Sequence, residues 1–125
     1  MNKSIEDIYK GYLKKEFTPT EILNQYLTQI NKIDKRLNSF TEVFESKVKK
    51  DSKRLDNLVC DNKNITNPLF GVPISLKDIF LVKDSICSCG SKMLENYVSN
   101  YNSTVSVSYT HLRAHETRED LVMRV

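Results

Sequence analysis

Leu69-Phe70-Gly71-Val72-Pro73-Ile74-Ser75-Leu76-Lys77-Asp78 is the stretch from which the fold of this 125-residue chain is read. Val72, Ile74 and Leu76 alternate with Pro73, Ser75 and Lys77, a period of two. The alternation predicts a short strand with one buried face. Gly71 and Pro73 fix the backbone on the way in. Lys77 then follows the buried face directly. A lysine held in apolar surroundings loses hydration, which disfavours its charged form. Neutral near pH 7, such a lysine acts as a base. Spacing alone favours the plainer alternative, a solvated lysine at a strand end.

Upstream the period changes. Ile5, Ile8, Tyr9, Tyr12 and Leu13 recur at helical spacing, with Gly11 a mild weakness near the end of that helix. Thr18-Pro19-Thr20-Glu21 has a capping hydroxyl, a proline suited to the first helical position and a carboxylate for a capping box. It predicts a second helix. Ile22, Tyr26, Ile30, Ile33 and Leu37 form its stripe, widened by Leu23 and Leu27. A third helix is predicted from about Val43 to Val59, with Val43, Phe44, Val48, Leu55 and Leu58 inward. It carries Lys47, Lys49, Lys50, Lys53 and Arg54 against one Asp51. These charges read as a solvated face rather than a nucleic-acid surface, because no aromatics interleave with them.

Residues 60–68 are polar, end in Pro68 and read as a loop. After the strand, Ile79 to Val82 is expected as a second extended piece. Ser91 to Val98 is expected as a short helix with Leu94, Tyr97 and Val98 inward. The order is three helices, a strand, then a helix, with no internal repeat.

Apolar residues make up 39% and charged residues 28%, which allows a lean core. The formal net charge of +3 is too small to argue for nucleic acid. Cys60, Cys87 and Cys89 are an odd set and do not resemble a secreted disulfide framework. The polar start, with Glu6 and Asp7, lacks the apolar run of a signal peptide. The longest apolar run, Ile79-Phe80-Leu81-Val82, falls far short of the ~20 residues of a spanning helix. The expectation is an intracellular, cytoplasmic protein with reduced thiols and no membrane association.

The lysine stretch resembles the first hallmark of the amidase-signature family, Gly-Ile/Val-Pro-x-x-x-Lys-Asp. Gly71, Val72, Pro73, Lys77 and Asp78 meet every fixed position. The resemblance continues upstream in the Thr18 to Glu21 helix start and in Ile30-Asn31-Lys32-Ile33-Asp34-Lys35-Arg36-Leu37-Asn38. Downstream, Gly90-Ser91-Lys92-Met93-Leu94-Glu95-Asn96-Tyr97 and Tyr101-Asn102-Ser103-Thr104-Val105 are similar to one branch, the A subunits of tRNA-dependent amidotransferases. In all it covers about residues 4–105. It implies an α/β fold, a mixed sheet sandwiched between helices, of which residues 1–106 supply the helical N-terminal part and the first strand. It implies a Ser–cis-Ser–Lys triad with Lys77 as its catalytic lysine. It also implies glutamine hydrolysis whose ammonia passes to a partner subunit. The parent complex would be a heterotrimer with B and C subunits, working on misacylated Glu-tRNA(Gln) or Asp-tRNA(Asn). ATP and Mg would serve the partner subunit, while no cofactor would be bound by this chain.

In this family the two serines lie after the lysine, in a Gly/Ser-rich stretch that also supplies oxyanion-hole N–H groups. Gly11, Gly71 and Gly90 are the glycines here, and none lies in such a stretch. Ser75, Ser88 and Ser91 do not match the serine positions, so the chain is expected to be an inactive fragment. Residues 1–106 hold fourteen lysines and two arginines, whereas 107–125 hold three arginines, no lysine and both histidines. Ser108-Tyr109-Thr110-His111-Leu112-Arg113-Ala114-His115-Glu116-Thr117 resembles a translated sequencing adaptor. Residues 107–125 therefore read as a non-native tail, against the alternative of a genuine basic C-terminal helix. His111 and His115 are spaced as ligands on a helix can be, but lack the partners of a zinc site. Cys87-Ser88-Cys89 reads as ordinary buried thiols rather than a metal or redox motif. The competing functions are a general amidase-signature hydrolase of small amides and a non-enzymatic helical binding module.

Overall fold

The computed structural model describes residues 3–61, 65–113 and 122–124, with only the backbone described from residue 109 on. The elements run α1 (Ile5–Leu13), α2 (Pro19–Leu37), β1 (Glu42–Val43), α3 (Glu45–Cys60), β2 (Ile74–Leu76), a 3-10 turn (Lys92–Leu94), α4 (Thr104–Arg113) and β3 (Val122–Arg124). This is the α/β arrangement expected: helices first, then the lysine strand.

Both first helices start in capping boxes. Ser4 accepts from the Asp7 N–H while the Asp7 carboxylate accepts from the Ser4 N–H. Thr18 and Glu21 do the same for α2, with Pro19 in the first turn. Each box satisfies backbone donors that have no partner within the helix. The end of α2 is equally specified. Asn38 adopts the left-handed conformation and donates its N–H to the Asp34 carbonyl. The Asp34 carboxylate then accepts from the N–H groups of Ser39 at 2.7 Å and Phe40 at 3.3 Å. The Asp34 and Asn38 positions of the helix-ending motif thus have a local role: they stop the helix and turn the chain.

The core joins α1, α2 and α3 through Ile8, Tyr12, Ile22, Leu23, Leu27, Val48, Leu55 and Val59, and Phe70 reaches in from the turn before β2. The buried seam of α2 is rotated from its expected centre. Leu23 and Leu27 are buried, whereas Tyr26, Ile30 and Ile33 are half-buried and Leu37 is 58% exposed. On α3, Asp51 and Ser52 are buried along with Val48 and Leu55. Ser52 accepts from the Thr20 hydroxyl at 3.0 Å, and the Asp56 carboxylate accepts from the Thr20 N–H at 3.0 Å. A polar contact therefore lies within the α2–α3 seam, where sequence reading placed only apolar groups. The basic residues of α3 all face solvent.

Gly11 is a close-approach site rather than a weakness. A Cβ there would lie 2.0 Å from the Phe17 ring, which packs edge-on against Tyr12 with centroids 5.5 Å apart.

Several expectations need correction. Val43 is in β1, not α3, and Phe44 precedes the helix without a side-chain cap bond. Ile79–Val82 forms no strand; a turn follows β2, with the Phe80 N–H donating to the Lys77 carbonyl. Within Ser91–Val98 only the 3-10 turn forms, and Leu94, Tyr97 and Val98 are exposed. The chain there is held instead by an antiparallel bridge between Ile86 and Val98.

The sheet has the order β1-β3-β2, antiparallel between β1 and β3 and parallel between β2 and β3. Its central strand lies in the segment expected as a tail, and α4 spans the boundary placed at residues 106 and 107. Of the histidine pair, His115 lies outside the described residues.

Candidate active site

The approach to Lys77 is built as a series of short turns. Asn67 accepts from the Leu69 N–H through its side chain at 2.9 Å and from the Phe70 N–H through its carbonyl at 3.0 Å. Gly71 then takes φ +65°, the left-handed region where a side chain is unfavourable. A Cβ at Gly71 would also sit 3.0 Å from the Tyr12 ring. Tyr12 donates its hydroxyl to the Gly71 carbonyl at 3.1 Å, and its ring meets Phe70 edge-on. Helix α1 therefore clamps the start of the motif before β2 begins.

Through β2 the alternation continues past the strand end. Leu76 and Asp78 are buried, while Ser75 and Lys77 are exposed. The apolar enclosure that would disfavour a charged lysine is not supplied by the described residues. Lys77 faces solvent, and the next residue, Asp78, turns an anchored carboxylate to the opposite, buried side.

That carboxylate is the feature sequence reasoning left without a role. Asp78 accepts from the Ser88 hydroxyl at 2.5 Å through one oxygen and from the Ser88 N–H at 3.2 Å through the other. Its backbone carbonyl accepts from the Cys87 thiol at 2.9 Å. Ser88 in turn accepts from the Gly90 N–H through its hydroxyl and from the Ser91 N–H through its carbonyl. Asp78 thus fastens the loop 86–91 against the end of the lysine strand. The buried position one residue after an exposed lysine was the available signal. Ser88 engages Asp78 through both its hydroxyl and its backbone N–H. Cys87 is buried as expected, but Cys89 is exposed, which corrects its reading as a buried thiol; Cys60 is also exposed. No three His, Cys, Asp or Glu residues cluster as metal ligands among the described residues. No helix of the described residues is long and apolar enough to cross a membrane.

A family model described as Amidase matches residues 21–114, a span that includes the Gly71 to Asp78 motif and its anchoring loop. The chain belongs to the amidase family. Curated relatives in this family include the A subunit of the Glutamyl-tRNA(Gln) amidotransferase of Psychrobacter cryohalolentis, 32% identical over 102 residues, covering 82% of this chain and 20% of that protein. Its counterpart of the same description from Hahella chejuensis is 35% identical over 103 residues, covering 82% of this chain and 21% of its own length. The chain thus spans about a fifth of the length of these relatives. Among solved structures, a bacterial aryl acylamidase of the amidase signature family superposes with a TM-score of 0.81 at 17% identity, covering 98% of this chain and 24% of that one. A protein from a vestigial complex, described in connection with the origins of an s-triazine catabolic enzyme, superposes with a TM-score of 0.83 at 15% identity, covering 98% and 25%. These structures share the fold, and they agree with reading the chain as the N-terminal part of an amidase-signature architecture.

Proposed function

We propose that the chain is the N-terminal part of the glutamine-hydrolysing subunit of a tRNA-dependent amidotransferase, with Lys77 as its catalytic base. The supporting observation is the Gly71–Asp78 motif, held between the Tyr12 clamp and the Ser88 anchor, in a chain 32% identical to the A subunit of such an amidotransferase. In this reading the Lys77 amine takes a proton from a bridging serine, which in turn activates a nucleophilic serine. Nucleophile attack on the glutamine amide then releases ammonia for a partner subunit. The partner, with ATP and Mg, uses it to convert misacylated Glu-tRNA(Gln) or Asp-tRNA(Asn). No residue here is assigned to ATP, Mg or tRNA, and the setting is cytoplasmic. In this reading the two serines and the groups that enclose Lys77 come from other parts of the enzyme, and the 125-residue chain alone is inactive.

The test begins with the source DNA across the codons for residues 95–125. A frame that runs on into a Gly/Ser-rich stretch supports the reading. A confirmed stop after Val125 overturns it and turns the search towards binding. In the extended protein, Lys77→Ala abolishes glutamine hydrolysis. Preference for small amides over glutamine would instead assign a general amidase.

A further inference from the structure

We propose that Cys87 and Cys89 form a reversibly oxidisable dithiol, a modification site for low-molecular-weight disulfides at the anchor of the lysine motif. The dithiol stands apart from the role proposed for Lys77. Residues two apart in an extended segment lie about 7 Å from each other. Here Cys89 takes the left-handed conformation (φ 49°) and the two sulfurs, on the same side of the loop, lie 3.7 Å apart. Closing them to a disulfide requires roughly 1.7 Å of further approach. Ser88, between them, is held by both of its bonds to Asp78, so the loop presents the two thiols as a pair.

Exposure divides the roles. Cys89 is exposed and Cys87 is 1% exposed. The Cys89 thiolate attacks one sulfur of a small disulfide, forming a mixed disulfide and expelling one thiolate. Cys87, giving up its proton, then attacks the Cys89 sulfur and expels the second thiolate. Two protein thiols are oxidised and one small disulfide is reduced to two thiols, which carry away the two protons. A thiol reductant reverses the reaction. Oxidation removes the S–H that Cys87 donates to the Asp78 carbonyl, so it loosens the contact next to Lys77.

The test uses the 125-residue chain carrying Cys60→Ser, equilibrated in glutathione redox buffers, acid-quenched and mapped by mass spectrometry. The expected product is a peptide containing Cys87 and Cys89 that has lost two hydrogens and carries no persistent glutathione. With Cys87→Ser in addition, glutathione stays on Cys89. In urea, half-oxidation should need about tenfold more oxidising buffer, because the fold no longer holds the sulfurs together. Equal or easier oxidation in urea, a persistent glutathione adduct when both cysteines are present, or no reaction in the native buffer overturns the proposal. The native-versus-urea comparison decides even where Cys87→Ser fails to fold.

Discussion

The Tyr12 hydroxyl donates to the Gly71 carbonyl at 3.1 Å, so the first helix and the turn before the lysine strand are held by one buried bond across 59 positions. Tyr12→Phe keeps the ring contacts with Phe17 and Phe70 but leaves that carbonyl without this donor. The expected loss is about 1–3 kcal/mol, because an unsatisfied buried acceptor retains its desolvation cost. Urea unfolding followed by circular dichroism measures it.

Gly71→Ala should destabilise for a different reason. The left-handed conformation costs an L side chain about 1–2 kcal/mol, and the added methyl meets the Tyr12 ring at 3.0 Å. In a double-mutant cycle with Tyr12→Phe, the two changes should be non-additive, since both act on the same contact. Strict additivity in the fitted unfolding energies would show the sites to be independent.

Gly11→Ala separates helix propensity from packing. Propensity favours alanine by about 1 kcal/mol in a helix interior. The Phe17 ring, 2.0 Å from the new methyl, must move away from Tyr12 and from Lys3, whose ammonium sits 3.5 Å above it. Overpacking of this kind costs about 1–3 kcal/mol, so a net loss is expected. A raised midpoint on thermal melting would mean that Phe17 moves at no cost.

Asp78→Asn removes the charge that accepts both Ser88 bonds while preserving size. Bonds to charged groups contribute about 1.5–3 kcal/mol, so a loss in that range is expected. Amide exchange should quicken first at Ser88, Gly90 and Ser91, whose N–H groups depend on this anchor. Ser88→Ala should reproduce the pattern. Uniform quickening across α2 and α3 instead would point to global unfolding.

Acid should weaken the start of α1. Hydrogen bonds from the Ser4 side chain, then its backbone N–H, hold the Asp7 carboxyl below the usual carboxylate range. A depressed carboxyl stabilises the fold above its unfolded pKa of about 3.9 and ceases to do so as pH falls through the lower folded value. Thermal midpoints should therefore fall below about pH 4 more steeply in the parent chain than in Asp7→Asn. The effect is small, because this carboxyl faces solvent. Lys10 has the opposite sign. Its bond to Glu6 raises its pKa, so that contribution is lost only in strong alkali.

Much of this structure is legible in local chemistry. Thr18, Pro19 and Glu21 announce the start of α2 because capping is settled within one turn, and the alternation around Ile74 and Leu76 announces β2 for the same reason. Lys77 and Asp78 are legible as a motif. The tie from Asp78 to Ser88 is not, because it joins residues ten positions apart across an irregular turn that no local periodicity announces. Leu94, Tyr97 and Val98 show a related failure. Their apolar character says that they are suited to burial, but not which surface covers them. In the described residues they lie exposed, beside Met93 at 95% exposure. Ser52 fails in reverse: a polar residue goes inward because Thr20 meets it there.

The β1-β3-β2 order has a consequence for how the chain is synthesised. Residues 42–43 and 74–76 leave the ribosome well before residues 122–124, and neither outer strand pairs with the other. The α2–α3 seam closes over a short stretch and can consolidate while translation continues. Bringing β1 to β3 instead spans most of the chain and carries the larger loop-closure cost. The nascent protein therefore acquires its helical core first and its sheet only after α4 has been made.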